Sequence, residues 1–216
     1  MDKLQIVLAD DHTLVRQGFR KILEEQTEWE VIAEASDGRD AVRQTLDLKP
    51  HVVILDIAMP VLNGVEAARQ IVRRLPGAGV LVLSMYCREI YVTQVLQAGA
   101  RGYLLKDSAD RELIRAVAAV SQGRSFFSPA VAKLMLDDHV RDLAGRGISD
   151  RYDTLSERER EVFQLIAEGR SNKETANLLY ISLSTVETHR ARIMEKLDVH
   201  SAAEIVLYAV RRGVVT

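Results

Sequence analysis

Carboxylate, hydroxyl and lysine side chains follow short apolar segments at several places in the first half of the chain. Asp56 comes directly after the apolar residues 52–55, which predict a strand buried on both faces. In a doubly wound sheet, ligands bind at the carboxyl ends of the strands, so Asp56 would lie where chemistry takes place. Taken alone, Asp56 is equally well interpreted as the cap of a following helix. The residues at the ends of the other strands distinguish the two interpretations.

The other predicted strands end on residues that complement Asp56. Apolar segments run into Asp10-Asp11, into Ser84 and into Lys106, and the carboxyl ends of parallel strands share one edge of a sheet. Three carboxylates at one place repel each other unless a cation lies among them, and hard oxygen ligands at an open site suit Mg²⁺. Asp56 would then be the nucleophile that forms an acyl phosphate, while Lys106 and Ser84 hold the phosphoryl oxygens.

Strictly alternating strand and helix patterns position these side chains. Five strand–helix pairs in residues 1–122 predict one parallel sheet with helices on both faces and right-handed crossovers. The predicted strands lie at 5–9, 31–33, 52–55, 80–83 and 102–106. The predicted helices lie at about 13–25, 40–47, 65–75, 90–96 and 111–120.

Residues 1–122 resemble a receiver domain of two-component signalling. The likeness rests on Asp10-Asp11, Asp56 with Met59-Pro60 and Asn63-Gly64, Ser84, and the segment 102–106. The resemblance implies a flavodoxin-like α/β fold with a five-stranded parallel sheet. It also implies that a sensor histidine kinase transfers a phosphoryl group to Asp56 in the presence of Mg²⁺.

The same resemblance assigns a role to each site residue. It implies that Asp11, Asp56 and the carbonyl group of Ala58 ligate Mg²⁺, and that Asp10 acts on the metal largely through water. It implies that Lys106 pairs with the phosphate. Ser84 would then move to donate a hydrogen bond to the phosphoryl group, and Tyr103 would swing inward behind it.

The segment 123–153 differs in character from what precedes it. Residues 130–143 are compatible with a short helix, and residues 144–150 are small, polar and glycine-rich. This composition predicts a flexible linker between a receiver domain at 1–122 and a second domain at 154–216.

Residues 154–216 predict four short helices and no strand. Capping boxes are predicted at three Ser-x-x-Glu sequences, which are Ser156 with Glu159, Ser171 with Glu174, and Ser184 with Glu187. Two helices joined by a tight turn within 171–190 would form a helix-turn-helix, whose second helix enters a major groove. A generic helical bundle is the alternative, and charge does not decide, because the domain has nine Lys or Arg and nine Asp or Glu.

This second domain resembles the LuxR-type DNA-binding domain in four segments, 155–159, 168–174, 184–189 and 196–199. The resemblance implies that Glu187, Thr188 and Ala191 face the bases. Other expected DNA contacts, nearer the backbone or at the ends of the helix, are Lys173, Thr185, His189, Arg190, Arg192 and Lys196. Family members often have lysine where this chain has Glu187, and a carboxylate there is suited to accept a hydrogen bond from cytosine N4.

The two resemblances together indicate a NarL/FixJ-type response regulator, a transcription factor rather than an enzyme. They imply a cytoplasmic protein that pairs as a homodimer when active, with DNA, a sensor histidine kinase and RNA polymerase as partners. The composition agrees, with 47% hydrophobic residues, a net charge of −2 and one cysteine. No apolar run approaches the roughly 18 residues that span a bilayer, so no membrane partner is expected.

Two other functions are compatible with parts of this sequence. A phosphatase of the acid-hydrolase type also uses an aspartyl nucleophile, but it needs a second aspartate at the position that Ala58 occupies. An interaction protein with an inactive receiver is the other alternative. The presence of every expected receiver residue argues against it.

Overall fold

The computed structural model describes residues 3–142 and 151–215. The chain divides into two compact units, Met1–Gly145 and Arg146–Thr216. The glycine-rich residues 144–150, predicted to be a linker, lie outside the described residues. In the described ranges, no helix combines the length and the apolar character needed to cross a membrane.

The first unit is built on a parallel sheet in the order β2-β1-β3-β4-β5-β6. Its strands are β1 Leu4–Ala9, β2 Trp29–Ala35, β3 Val52–Asp56, β4 Gly79–Ser84, β5 Gly102–Leu105 and β6 Phe126–Phe127. The order reverses between β1 and β3, and this switch point is where doubly wound sheets bind ligands.

Helices cover both faces of the sheet, as the alternating pattern predicts. They are α1 Thr13–Glu24, α2 Gly38–Leu48, α3 Gly64–Arg74, α4 Glu89–Gln97, α5 Ala109–Ser121 and α6 Pro129–Asp142. Alternate residues of a strand point to opposite faces, so β1 places Val7 in one core cluster and Ile6 and Leu8 in another. The first cluster is completed by α2, α3 and α4, and the second by α1 and α5.

The sheet has six strands rather than the predicted five. The additional strand β6 pairs in parallel with β5, with Tyr103 opposite Phe127. Its two residues are too short to show a strand pattern in the sequence. The following helix α6 contributes the fully buried Val131 to the core of this unit, so the first part of the predicted linker segment packs with the sheet.

The loop after β3 folds tightly against that strand. Asn63 caps α3 by accepting a hydrogen bond from the Glu66 backbone N–H. A Cβ atom at Gly64 would lie 2.0 Å from the Asp56 carbonyl oxygen, so only glycine permits this approach. Val61, in the same loop, adopts a left-handed backbone with φ 67°, which is strained for a β-branched residue.

The second unit contains only helices. They are α7 Glu157–Ala167, α8 Asn172–Leu179, α9 Leu183–Leu197 and α10 Ala202–Arg212, preceded by a 3-10 turn at Arg151–Thr154. Each helix contributes to one core, in which Phe163, Val186, Ile193 and Ile205 are fully buried. The predicted helix-turn-helix therefore corresponds to α8 and α9.

Two of the three predicted capping boxes are confirmed, and the third is wrong. Ser156 and Ser171 form complete capping boxes at the starts of α7 and α8. At α9, however, the N-cap is Ser182, whose hydroxyl group accepts from the Thr185 backbone N–H at 3.1 Å. The helix starts before Ser184, so the Glu187 side chain is not used in a cap.

Candidate phosphoacceptor site and DNA-reading helix

Asp56 is the last residue of β3 and is 3% exposed. Asp10 follows β1 and is fully buried, while Lys106 follows β5. The Lys106 Nζ atom lies 2.7 Å from Asp10 Oδ2 and 3.0 Å from Asp56 Oδ1. Side chains at the carboxyl ends of three different strands therefore meet at one edge of the sheet, as the strand-end pattern predicts.

The buried charges in this group shift each other's pKa values. Burial raises the pKa of Asp56, and the neighbouring carboxylates of Asp10 and Asp11 add to the rise, while Lys106 opposes it. Burial lowers the pKa of the Lys106 amino group, but its ion pairs with Asp56 and Asp10 outweigh burial and leave the pKa raised. An additional cation beside Asp56 would favour the ionised carboxylate that a nucleophile needs.

The residues around Asp56 fit a divalent cation. One ligand atom from each of Asp10, Asp11, His12 and Asp56 lies within 4.8 Å of the others. The Asp11 side chain is 32% exposed, so the group opens to solvent on one side, and an ion there would keep some of its waters, as Mg²⁺ does. Ala58, the expected carbonyl ligand, is exposed in the loop after β3.

His12 also belongs to this group, although the pattern of strand ends does not point to it. Its Nδ1 atom lies 2.8 Å from Asp11 Oδ1 and 3.4 Å from Asp10 Oδ1, and its backbone N–H donates to Asp10 Oδ1 at 2.9 Å. The signal in the sequence was its position directly after the two aspartates.

Ser84 and Tyr103 share a backbone acceptor in the loop after β4. The Ser84 hydroxyl group donates to the Tyr86 carbonyl oxygen at 3.1 Å and accepts from the Tyr86 N–H at 3.0 Å. The Tyr103 hydroxyl group donates to the same carbonyl oxygen at 2.7 Å. Tyr103 is fully buried and already points inward, and burial raises the pKa of its phenol.

On α9, the buried residues Val186, Ile193 and Leu197 face the core. The opposite side is exposed and includes the residues expected to face the bases, which are Glu187, Thr188 and Ala191, together with Arg192. The Thr188 hydroxyl group donates to the Ser184 carbonyl oxygen at 2.9 Å, so its hydrogen is already used, while its oxygen can still accept and its methyl group is free for apolar contacts. Thr185 is half-buried beside Ser182.

The basic residues expected on the same surface differ in their environments. Lys173 on α8 is exposed, whereas Arg190 donates to Asn172 Oδ1 at 3.2 Å, which connects α9 to the start of α8. His189 is half-buried, and burial lowers the pKa of its imidazole. Lys196 forms an ion pair with Glu159 Oε2 at 2.6 Å and donates to the Thr154 carbonyl oxygen at 3.2 Å.

Comparisons with known proteins agree with this two-part structure. Residues 6–118 match the family model of the response regulator receiver domain, and residues 153–209 match that of the luxR family of bacterial regulatory proteins. The oxygen regulatory protein NreC of Staphylococcus carnosus (strain TM300) is 39% identical over 212 residues, which are 97% of this chain and 98% of that protein. The transcriptional regulatory protein DegU of Brevibacillus brevis is 38% identical over 224 residues, covering 98% and 95% of the two chains.

Solved structures give the same assignment. One of them is a complex of the two-component response regulator RcsB with DNA. RcsB in that complex is 29% identical to this chain and superposes on it with a TM-score of 0.59, and the match covers 97% of this chain and 98% of RcsB.

Proposed function

The chain belongs to the bacterial response regulators that join a receiver domain to a LuxR-type DNA-binding domain, and we propose that phosphorylation of Asp56 controls how α9 binds DNA. The observation that supports Asp56 most directly is its position between Lys106 and the acidic group. Lys106 contacts Asp56 and Asp10 at 3.0 and 2.7 Å. Asp56 is thus a buried carboxylate with a cation to hold incoming phosphoryl oxygens.

In the proposed reaction, a carboxylate oxygen of Asp56 forms a bond to the phosphorus atom of phosphohistidine in a sensor histidine kinase. The bond between phosphorus and the histidine nitrogen breaks, its electron pair stays on that nitrogen, and the ring takes up one proton from water, so the kinase regains a neutral imidazole. Mg²⁺, held by Asp11, Asp56 and the Ala58 carbonyl group, with Asp10 acting mainly through water, would neutralise charge between the carboxylates and the phosphoryl oxygens. The Lys106 amino group would contact the phosphoryl oxygens.

The contacts of Ser84 support a route from the phosphate to the rest of the receiver. If its hydroxyl group turns to donate to a phosphoryl oxygen, the Tyr86 carbonyl oxygen keeps the hydrogen bond from Tyr103 alone. Tyr103 is also connected to the start of α6, because the Ser128 N–H donates to its carbonyl oxygen at 3.2 Å. A change at Ser84 would therefore reach the strand from which the chain continues towards the DNA-binding domain.

The exposed side of α9 supports DNA binding by this helix. We assign base contacts to Glu187, Thr188 and Ala191. Lys173, Arg190 and Arg192 would contact phosphates, with Thr185 and His189 beside them. Lys196 is less suited to contact DNA, because its amino group already forms an ion pair with Glu159.

The last helix supports pairing of two chains. Ile205 and Ala209 of α10 are fully buried in the core, whereas Val206, Leu207 and Val210 are 37%, 50% and 49% exposed. These three residues form an apolar stripe, and we propose that it packs against the same stripe of a second copy about a two-fold axis. We also propose that the protein is cytoplasmic and that RNA polymerase is a further partner.

The test of the phosphoacceptor is incubation with acetyl phosphate and Mg²⁺, followed by intact-mass measurement. The wild-type chain should gain one acid-labile phosphoryl group, and Asp56→Ala should gain none, because the nucleophile is removed. Asp107→Ala is the matched control, since it removes an exposed aspartate beside Lys106 and should label like the wild type. Wild-type labelling of Asp56→Ala would show that another residue accepts the phosphoryl group.

A further inference from the structure

The Glu187 carboxylate has no protein partner among the residues that the structure describes. It is exposed on α9, and neither a hydrogen bond nor an ion pair from the described ranges reaches it. Two other polar residues of α9 are engaged, since the Thr188 hydroxyl group donates to the Ser184 carbonyl oxygen and the Arg190 guanidinium donates to Asn172. Because α9 is capped by Ser182, Glu187 is not part of a capping box either.

An unpaired carboxylate is an unusual group on a surface that binds DNA. It is repelled by the phosphates, and among the edges of the bases in the major groove only an amino group attracts it. Guanine presents two acceptors there, and thymine presents an acceptor and a methyl group. Adenine presents its amino group next to the N7 acceptor, which repels a carboxylate. Cytosine presents N4–H₂ as its polar group, and it is therefore the base that a carboxylate matches.

The position of Glu187 on the helix suits a base contact. It lies in the second turn of α9, which begins at Leu183, and recognition helices contact base edges with their N-terminal residues. One turn further along the same face, Ala191 is exposed and has only a methyl group. A small side chain there lets the helix approach the floor of the groove.

We propose that Glu187 selects cytosine in each half of the DNA site by accepting a hydrogen bond from its N4 amino group. This inference rests on the proposed role of α9 in DNA binding and adds the base that the helix reads. It also explains how a domain with equal numbers of acidic and basic residues retains a carboxylate on its binding surface. The carboxylate weakens binding to every sequence that lacks cytosine at that position.

The test uses the full chain, treated with acetyl phosphate and Mg²⁺, and a pool of duplexes with a randomised central segment. Wild-type protein should enrich cytosine at one position of each half-site. Glu187→Gln should move the preference at that position alone towards adenine, because glutamine donates to N7 and accepts from N6. Glu195→Gln is the matched control, since Glu195 is exposed on the same helix about 12 Å further along, and it should enrich the wild-type site.

A second measurement tests the contribution of the cytosine 4-amino group alone. In an enriched duplex, replacing the selected cytosine by 2-pyrimidinone, which lacks the 4-amino group, should weaken wild-type binding about tenfold and change Glu187→Gln binding little. An unchanged base preference in Glu187→Gln, or the absence of any enriched base in the wild-type selection, would overturn the inference. Failure of the proposed function is distinguishable, because wild-type protein would then fail to bind the starting pool, or acetyl phosphate would not alter its binding.

Discussion

The two candidate sites of this protein differ in the burial of their charged side chains, which are buried in the receiver and exposed on α9. At the edge of the receiver sheet, Asp10 and Asp56 are buried, and the Lys106 side chain is only 6% exposed. Its amino group lies 2.7 Å from an Asp10 carboxylate oxygen and 3.0 Å from an Asp56 carboxylate oxygen. On α9, Glu187 and Arg192 are exposed to solvent. The receiver site is thus held in place by its own ion pairs, whereas Glu187 and Arg192 form no ion pair with the described part of the chain.

This difference predicts where a single substitution is costly. A buried charge that loses its partner destabilises the fold, because the protein interior solvates it poorly. An exposed charge that is removed leaves the fold almost unchanged and alters binding instead. The removal of a charge should therefore be detected by unfolding experiments at the receiver site and by binding experiments on the exposed side of α9, where Glu187 and Arg192 have no ion pair in the described chain.

The largest effect is expected for Lys106→Ala. It leaves two buried carboxylates without a cation and should lower the free energy of unfolding of the receiver by about 3 kcal/mol in EDTA, with part of the loss recovered in Mg²⁺. The fluorescence of Trp29, the one tryptophan of the chain, follows this transition, because Trp29 starts β2.

The matched control is Lys173→Ala, which removes an exposed lysine of α8 and should leave the Trp29 transition within about 0.5 kcal/mol of the wild type. Equal midpoints for Lys106→Ala and the wild type in EDTA would mean that the ion pairs do not hold the receiver site together.

An intermediate effect is expected for Arg192→Gln. Arg192 is exposed on α9, and loss of a phosphate contact should weaken binding to specific and random duplexes alike. The slope of the logarithm of the binding constant against the logarithm of salt concentration should decrease by about one unit. Arg111→Gln, which removes an exposed arginine of α5, is the control and should keep the wild-type slope. An unchanged slope in Arg192→Gln would place Arg192 away from the DNA backbone.

The smallest effect concerns the ion pair between Lys196 and Glu159. Burial raises the pKa of Glu159, but the hydrogen bonds from Lys196 and Ser156 outweigh burial and leave the pKa below its ordinary value of 4.5. A carboxyl group with a lowered pKa stabilises the fold above its unfolded pKa, and this stabilisation is lost as the pH falls through the folded value. The second domain should therefore lose stability below about pH 4.5.

Lys196→Met should reduce the stability of the second domain at pH 7 by about 1 kcal/mol and make its acid dependence shallower. Unfolding by denaturant is followed by the circular dichroism of the helices. The transition of the second domain is the one that leaves the fluorescence of Trp29, a receiver residue, unchanged. Lys173→Met, without an acidic partner in the described structure, should match the wild type. If Lys196→Met retains the full acid dependence, the depression of the Glu159 pKa has another origin.

The sequence predicts the receiver in more detail than the start of α9, for a physical reason. Strands buried on both faces have a strong apolar pattern, and their order places strand ends at one edge, so Asp10, Asp56 and Lys106 could be brought together from the sequence. The strand β6 has two residues and no periodicity of its own. It forms because β5 offers an unpaired edge, and this is a property of the assembled sheet.

The start of α9 shows the corresponding limit in the second domain. Ser182 and Ser184 both suit an N-cap, and the spacing from Ser184 to Glu187 favoured the second of them. The structure uses Ser182. This places Val186 in the core and leaves Glu187 in solvent.

The sequence by itself determined the two-domain organisation, the alternating α/β order of the receiver and the residue types at its strand ends, because these follow from local apolar patterns and from the chain order. Only the tertiary structure decided that Lys106 forms ion pairs with both Asp10 and Asp56, and that His12 lies beside the acidic group. It also decided that Glu159 forms an ion pair with Lys196, whereas Glu187 has no partner in the described chain. Those outcomes depend on distances between residues far apart in the sequence, and packing fixes such distances.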